Sequence, residues 1–318
     1  MVFFGNLEWQ GFAEGGMASM IAGFSTHPLD LIKVRMQLQG EGAAPALAYA
    51  TLNGSASGNV DVVGRRAGPL RVGLDVARTE GVKALYSGVS ATLLRQVLYS
   101  STRMGLYEFL KHRWQDQGPH EGSGLPLYKK VTAALVSGGF GAVVGNPADL
   151  AMVRMQADGR LPVHERRNYT SVGNALSRMV RQDGVRSLWT GSAPTVTRAM
   201  LVTAAQLATY DQIKDTIVEN HLVPEGFATQ VLASCGAGVL ASVASNPIDV
   251  VKTRVMNMKV VPGEAPPYRG ALDCAVKTVR AEGPMALYKG FVPTVTRQGP
   301  FAIILFLSLE QIKKVIET

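Results

Sequence analysis

Long uncharged stretches alternate along the chain with segments in which charged residues recur. Residues 226–248 are 23 consecutive residues without a charge, and residues 131–148 are 18. Because a helix rises ~1.5 Å per residue, about 20 such residues cross the ~30 Å hydrocarbon core of a membrane. The pattern therefore predicts membrane-spanning helices at these two positions.

The chain contains three copies of one unit. The tripeptide Pro-x-Asp occurs at spacings of 119 and 100 residues, as Pro28-Leu29-Asp30, Pro147-Ala148-Asp149 and Pro247-Ile248-Asp249. An acid followed by Gly, and then by aromatic-x-Gly, recurs at spacings of 103 and 99 residues, beginning at Glu80, Asp183 and Glu282. Self-similarity at a fixed period is the signature of a repeat architecture. We divide the chain into repeat 1 (residues 1–118), repeat 2 (119–220) and repeat 3 (221–318).

Each repeat is predicted to contain two long helices with a short amphipathic helix between them, such as residues 272–281. The second long helix bears charges, since residues 199–210 give only 12 uncharged positions. Ionisable groups inside membranes usually face an aqueous interior. Six crossings would place both termini on one side of the membrane. Repeat 1 is longer because of the Gly/Ala/Ser-rich residues 40–64, which we expect to be an inserted flexible loop.

Small residues recur at every fourth position of the first helix in each repeat. They are Gly15, Ser19 and Gly23 in repeat 1, Ala134, Gly138 and Ala142 in repeat 2, and Ser234, Gly238 and Ser242 in repeat 3. This spacing lines one helix face and lets a neighbouring helix approach closely, as is typical of membrane bundles. Glycine in a helix exposed to water costs ~1 kcal/mol, so the pattern favours a packing role.

Composition agrees with a membrane protein. Charged residues make up 18% of the 318 residues, against ~25% in soluble domains, and the mean hydropathy is positive. The net charge of +8 predicts an anionic partner: nucleic acid, lipid headgroups or a small anion. The two cysteines exclude a disulfide framework and a four-thiolate zinc site. No catalytic cluster, phosphate loop or metal-ligand spacing is evident, so neither an enzyme nor a cofactor is expected.

Three further residues keep one spacing in every repeat. Counting from the Gly of aromatic-x-Gly, an Arg follows after seven residues, an acid after 13 more, and a Lys after three more. The sets are Arg95, Glu108 and Lys111; Arg198, Asp211 and Lys214; and Arg297, Glu310 and Lys313. A single acid–Lys pair would be an ordinary salt bridge on a solvated helix face. Recurrence in an apolar chain favours a functional role instead.

The triplicated Pro-x-Asp-x-x-Lys and acid-Gly-x4-aromatic-x-Gly motifs resemble those of the mitochondrial carrier family over almost the whole chain. The segment from Arg95 to Arg103 is most similar to the branch containing oxoglutarate carriers, dicarboxylate carriers and uncoupling proteins, and above all to its dicarboxylate carriers. The resemblance implies an all-α protein of the mitochondrial inner membrane. Six tilted helices in three repeats with pseudo-threefold symmetry would surround a central cavity, with three short helices on the matrix side. The expected form is a functional monomer.

The Pro-x-Asp-x-x-Lys residues are expected to close the matrix side. Asp and Lys three residues apart lie on one helix face, so in a threefold ring each acid can pair with the base of the next helix. We expect Asp149 to pair with Lys252 and Asp249 with Lys33. The matrix-gate set is Asp30, Lys33, Gln37, Asp149, Asp249 and Lys252. Met152 stands where a base would pair with Asp30. Two ion pairs are therefore expected instead of three, with Gln37 as a brace.

A second charged set is expected to close the cytoplasmic side when the first one opens, and Tyr107 and Tyr210 would brace it. The cytoplasmic-gate set is Tyr107, Glu108, Lys111, Tyr210, Asp211, Lys214, Glu310 and Lys313. Ser87 and Thr190 replace the base that usually precedes the Gly of aromatic-x-Gly. Backbone N–H groups at the three helix starts there remain suitable for phosphate, so bound cardiolipin is expected.

The cavity arginines are expected to bind a small dianion. Three guanidinium groups at mid-membrane need an anion or water as a partner. Arg binds carboxylate in a fixed bidentate geometry. Glu14 is the remaining intramembrane acid outside the gates and cannot answer them all. The predicted substrate-binding residues are Arg95, Tyr99, Arg103, Arg198, Gln206 and Arg297. Malate, succinate, oxaloacetate, oxoglutarate, phosphate and sulfate all carry about two negative charges.

Two alternatives remain at this point. One is a proton leak of the uncoupling-protein type, since that branch shares the four arginines; His27 beside Pro28 could carry a proton, although a His at a helix kink is more often structural. The other is a soluble helical-repeat protein that binds RNA. It would need basic stripes with aromatic residues on polar helices, and the long uncharged stretches argue against this.

Overall fold

Six long helices and three short ones make up the described part of the chain. The computed structural model describes residues 2–40, 68–115, 126–161, 166–219, 227–258 and 266–317. The long helices are α1 (Val2–Gln37), α3 (Val89–Gln115), α4 (Leu127–Ala157), α6 (Ser192–Glu219), α7 (Phe227–Asn257) and α9 (Phe291–Glu317). The short helices are α2 (Pro69–Thr79), α5 (Val172–Asp183) and α8 (Ala271–Glu282). The predicted long–short–long pattern is confirmed in each repeat. The predicted loop at residues 40–64 lies, apart from Gly40, outside the described residues.

The first long helix of each repeat contains a proline, which removes one helical hydrogen bond and bends the helix. The prolines are Pro28 in α1, Pro147 in α4 and Pro247 in α7. The residue before each proline fixes the bend by reaching a 3₁₀ turn of its own repeat. Contacts of 2.8–2.9 Å join His27 to the carbonyl oxygen of Ser87, Asn146 to that of Leu188 and Asn246 to that of Leu287. Because two asparagines make the same contact, His27 has the structural role that its position at a kink suggests.

The six long helices close into a ring. The most extensive packing joins α3 to α4, α6 to α7 and α9 to α1. Each of these pairs connects the last long helix of one repeat to the first long helix of the next. The contact between α9 and α1 therefore returns the chain to its beginning and encloses a central space.

Two glycines with positive φ allow neighbouring repeats to approach closely. Gly191 has φ +80° and Gly290 has φ +82°, values that L side chains rarely adopt. A Cβ at Gly191 would lie 2.8 Å from Cγ of Met256, and one at Gly290 would lie 3.0 Å from Cγ of Gln37. Each contact crosses to the next repeat, so the Gly of aromatic-x-Gly is needed both for backbone conformation and for space.

The predicted face of small residues is only partly a packing face. A Cβ on Gly238 would lie 2.6 Å from Oε1 of Gln298, which is the expected close approach. Gly23 and Gly138 instead have open space where a Cβ would be, so the prediction is wrong for them. In repeat 2 the close approach is made by Gly141, three residues beyond Gly138 and one residue before Ala142 in α4. A Cβ there would lie 3.1 Å from the backbone oxygen of Tyr99.

Within the part of the chain that the structure describes, length and composition alone single out two stretches that could cross a membrane. They are Tyr128–Arg160 and Pro284–Ile312. The first includes the predicted span at residues 131–148, and the other predicted span, residues 226–248, belongs almost entirely to α7. A crossing by all six long helices stays a prediction.

Candidate functional site

Ion pairs close the bundle at the end where the three bent helices converge. Nζ of Lys33 in α1 lies 2.7 Å from a carboxylate oxygen of Asp249 in α7. Nζ of Lys252 in α7 lies 2.8 Å from a carboxylate oxygen of Asp149 in α4. These are the two pairings expected from the sequence. Both acids are almost completely buried, so each carboxylate depends on its cationic partners rather than on water.

The third acid of the ring has a partner that the sequence did not predict. Met152 stands at the position of a base in repeat 2, and Asp30 instead makes an ion pair with Arg297, whose Nη1 lies 2.7 Å from the carboxylate. Arg297 belongs to α9, the helix that packs most closely on α1. Within the described residues Asp30 therefore has this arginine and no lysine, because Met152 leaves the Lys position of repeat 2 without a charge.

The other two cavity arginines also bind gate acids. Arg95 lies 2.5 Å from Asp149, and Arg198 pairs with Asp249. The sequence led to the expectation of an anion or water beside these arginines; in the structure, matrix-gate acids pair with three of them. The side chain of Glu14 lies outside the described residues. The sequence missed these pairs because the register between a second helix and the following bent helix depends on how they pack.

These charged side chains line one central cavity. Its charged lining residues are Asp30, Lys33, Arg95, Asp149, Arg198, Asp249, Lys252 and Arg297. Counted over the described residues alone, five cationic groups face three carboxylates, which leaves a formal excess of two positive charges. The side chains of Arg198 and Arg297 keep 31% exposure and that of Arg95 keeps 25%, whereas Asp249 keeps 3%. The guanidinium groups therefore present themselves to the cavity while the acids lie beneath them.

A glutamine lies beside the ion pairs in two repeats, with different surroundings. Gln37 accepts a hydrogen bond of 2.7 Å from Oγ1 of Thr253, which agrees with a bracing position. Gln156 occupies the corresponding place in repeat 2 and is fully buried, and among the described residues neither of its side-chain polar atoms has a hydrogen-bond partner. Because Gln156 occupies the same position in its repeat as Gln37, its place beside the ion pairs could have been predicted from the sequence.

A second set of arginines ties the bent helices to the short helices. Each lies two residues beyond the Lys position of its repeat and pairs with the acid of the acid-Gly motif: Arg35 with Glu80, Arg154 with Asp183 and Arg254 with Glu282. Nε of each also donates to a backbone carbonyl of the next repeat, namely that of Gln156, Met256 or Gln37. The hydrogen bonds from Arg35 hold the pKa of Glu80 below its usual value. The recurrence of this Arg was a usable signal that the sequence analysis overlooked.

The remaining predicted substrate-binding residues lie above the ion pairs. The guanidinium carbon of Arg95 is 5.6 Å from the centre of the Tyr99 ring. Tyr99, Arg103 and Tyr107 line an open space of about 530 Å³ together with Arg95. Within the described residues Arg103 makes no ion pair, so its charge is available to a ligand. Gln206 is exposed and lines a neighbouring cavity with Arg198 and Arg297.

Among the cytoplasmic-gate residues that the structure describes, no ion pair joins one helix to another. Lys111 donates to Glu108 at 3.0 Å within α3, and both side chains are more than a third exposed. Glu310 pairs with Lys314 at 2.8 Å within α9, rather than with a base of another helix. Lys214 is exposed, and Tyr107 and Tyr210 are half-buried. The side chains of Asp211 and Lys313 lie outside the described residues. The structure is thus closed at the matrix-gate set while the described cytoplasmic-gate residues pair only within their own helices.

Known proteins resemble this chain over nearly its whole length. The sequence profile of the family described as "Mitochondrial carrier protein" matches residues 7–118, 123–221 and 223–318. "Mitochondrial uncoupling protein 5" of Arabidopsis thaliana is 60% identical, over 97% of this chain and 98% of that protein. "Probable mitochondrial 2-oxoglutarate/malate carrier protein" of Dictyostelium discoideum is 43% identical, over 95% and 88%. "Mitochondrial 2-oxoglutarate/malate carrier protein" of Bos taurus is 40% identical, over 95% and 90%.

The same family assignment follows from the three repeats, from the ion pairs between their bent helices and from these relatives. The chain belongs to the mitochondrial carrier family, and it is a transporter of the mitochondrial inner membrane rather than an enzyme.

Proposed function

We propose that the protein exchanges small dicarboxylates, such as malate, succinate, oxaloacetate and oxoglutarate, for phosphate, sulfate or another dicarboxylate. The observation that carries this proposal is the cavity with an excess of two positive charges and one arginine from each repeat. A dianion would neutralise that excess. Carboxylate and phosphate also match the planar fork of a guanidinium group.

The ion pairs suggest how substrate binding could open the closed end. In the structure Arg95, Arg198 and Arg297 pair with gate acids. A dianion that binds these guanidinium groups competes with the acids for them. Asp149 and Asp249 would then keep only their lysines, and Asp30 would lose its arginine. Nε of Arg297 is buried without a hydrogen-bond partner among the described residues, which leaves a donor for the anion.

This competition explains why transport would be an exchange. Removing one partner of a buried ion pair costs about 3–5 kcal/mol, so an empty carrier rarely breaks the ring. A bound dianion that touches all three repeats offsets the cost, provided that its contacts are strongest in the occluded state. The cytoplasmic-gate residues would then pair across helices and close the opposite side.

A proton leak is the second candidate function. Arabidopsis relatives that are 53–60% identical over 96–97% of this chain are named uncoupling proteins, and this identity favours the alternative. The cavity arginines do not separate the two functions. His27 gives the leak no evident route, because one ring nitrogen is occupied by the carbonyl oxygen of Ser87.

Reconstitution distinguishes the two candidates. The purified chain would be placed in liposomes and tested for uptake of labelled malate, succinate, oxoglutarate, phosphate and sulfate against internal anions. A pH-sensitive dye in the same vesicles would report proton conductance with and without fatty acid. We expect saturable exchange that needs an internal anion. Fatty-acid-activated proton conductance without exchange would refute this proposal and support the leak.

A substitution at the cavity tests the site itself. Arg198→Ala is expected to abolish exchange, whereas Arg186→Ala, at an exposed arginine of the same repeat, should leave it intact. Thermal unfolding of both variants in detergent shows whether the fold survives. Full exchange by a folded Arg198→Ala protein would refute the assignment.

A further inference from the structure

A neutral polar wall lies between α7 and α9, beside two of the cavity arginines. It borders a cavity of about 240 Å³ that Arg198 and Arg297 also line. The neutral polar residues of this cavity are Gln206, Ser242, Ser245, Thr294 and Gln298. A ligand held by the two arginines would therefore place its uncharged part against this wall.

The side-chain hydrogen-bond donors of Gln298 and Ser242 already have acceptors within the protein. Nε2 of Gln298 lies 2.5 Å from Oγ of Ser242 and 3.3 Å from the backbone oxygen of Gly238. Oγ of Ser242 donates its own hydrogen to the backbone oxygen of Gly238 at 2.8 Å. The carbonyl of Gly238 only accepts hydrogen bonds, so the group facing it must be the NH₂ of the amide. This arrangement leaves Oε1 of Gln298 as the remaining polar atom, and it can only accept.

Packing holds this amide in place. A Cβ at Gly238 would lie 2.6 Å from Oε1 of Gln298, so the amide lies directly on the glycine. The equivalent residues of the other repeats do not form such a bridge. Gln96 donates to Ser100 within its own helix at 3.3 Å, and repeat 2 has Ala199. Among the described residues, this bridge between Gln298 and Ser242 therefore occurs in one repeat, next to Arg297.

We propose that Oε1 of Gln298 accepts a hydrogen bond from the hydroxyl group of a 2-hydroxy dicarboxylate whose carboxylates bind Arg198 and Arg297. This inference rests on the proposed function and makes it more specific. A hydroxyl donor satisfies the acceptor, whereas a dicarboxylate without a hydroxyl group leaves it unused. The site should therefore prefer malate to succinate, which differ only in that group.

The test compares these two acids in one assay. The full chain in phosphate-loaded liposomes would be supplied with labelled malate or labelled succinate, and half-saturation concentrations would be measured. Gln298→Leu should raise the value for malate about two- to tenfold, the worth of a neutral hydrogen bond, and leave that for succinate unchanged. Ser242→Ala should act in the same direction with a smaller change, because it loosens the amide. Gln96→Leu is the matched control and should keep the wild-type ratio.

The outcomes separate this inference from the proposed function. If the folded Gln298→Leu and Ser242→Ala proteins keep the wild-type half-saturation concentrations for malate and succinate, Gln298 does not bind the hydroxyl group. If both acids weaken equally, Gln298 is merely structural. Either result overturns this inference alone. A wild-type protein that exchanges no dicarboxylate overturns the proposed function, and this inference with it.

Discussion

The interface between repeats 3 and 1 and the interface between repeats 1 and 2 differ at the closed end, although the same sequence positions form both. At the interface of repeats 3 and 1, Lys33 pairs with Asp249, and Oγ1 of Thr253 donates to Gln37. Lys289 adds a contact from repeat 3 to the backbone oxygen of Gln39. This interface thus combines an ion pair with several hydrogen bonds.

At the interface of repeats 1 and 2, two of the equivalent positions are apolar. Met152 replaces the Lys that would face Asp30, and Val34 stands where repeat 3 has Thr253. Gln156 is left buried without a side-chain partner among the described residues. Asp30 has its arginine, Arg297, but lacks the lysine that Asp149 and Asp249 have in addition to theirs. Pseudo-threefold symmetry of the backbone therefore does not imply equal strength of the three interfaces. We expect the interface of repeats 1 and 2 to separate at the lowest cost.

Asp249→Asn should give the largest effect, because it breaks the stronger interface. Asp249 is buried and holds both Lys33 and Arg198, so its loss leaves two cationic groups unpaired. We expect a loss of about 3–5 kcal/mol, seen as a lower apparent unfolding temperature in detergent. Asp30→Asn is the matched variant at the acid without a lysine partner; it removes only the pair with Arg297 and should shift that temperature less. Equal shifts would contradict the difference between the interfaces.

Met152→Lys should strengthen the weaker interface. The new ammonium group would face Asp30 and supply the missing pair, a gain of about 1–2 kcal/mol for a hydrogen bond to a charged group. The matrix-closed state should be stabilised, which state-specific inhibitor binding would measure, and exchange should be slower. Met152→Leu conserves the volume and should change little. An unchanged conformational balance in the Lys variant would count against a gate with two Lys–Asp pairs.

Thr253→Val should have an intermediate effect. It keeps the shape of the side chain but removes the hydrogen bond to Gln37, at a cost of about 1 kcal/mol in the free energy of unfolding. The converse change, Val34→Thr, would offer Gln156 a partner and should raise stability by a similar amount. Unfolding midpoints of both variants test the pair of expectations. A loss of stability in both variants would show that Val34 and Thr253 are not equivalent.

Glu80→Gln should give the smallest effect, confined to a range of pH. Because hydrogen bonds from Arg35 lower the pKa of Glu80, its contribution to stability is complete above the usual carboxylate pKa. The contribution disappears as the pH falls through the lowered value. The difference in unfolding temperature between wild type and variant should therefore shrink below about pH 4. A difference that is constant with pH would contradict an ionised Glu80 in the folded state.

Much of the architecture follows from sequence because the repeated signals act locally. Prolines at a spacing of about 100 residues placed the bends, and Pro-x-Asp-x-x-Lys placed acids and bases on one helix face. To predict the pairings of Lys33 and Lys252, one further assumption was enough, namely that the three proline-containing helices form a ring. The contact of Glu310 with Lys314 was not predicted, because Lys314 lies outside the repeated acid-x-x-Lys spacing.

The sequence by itself determined the three repeats, the helices, the family and the set of charged residues that meet in the centre. Only the tertiary structure decided that Arg95, Arg198 and Arg297 pair with gate acids, and that Gln298 bridges to α7. The physical reason is that these contacts join different helices. Their register depends on how bent helices pack against one another, and periodicity within a single helix carries no information about that.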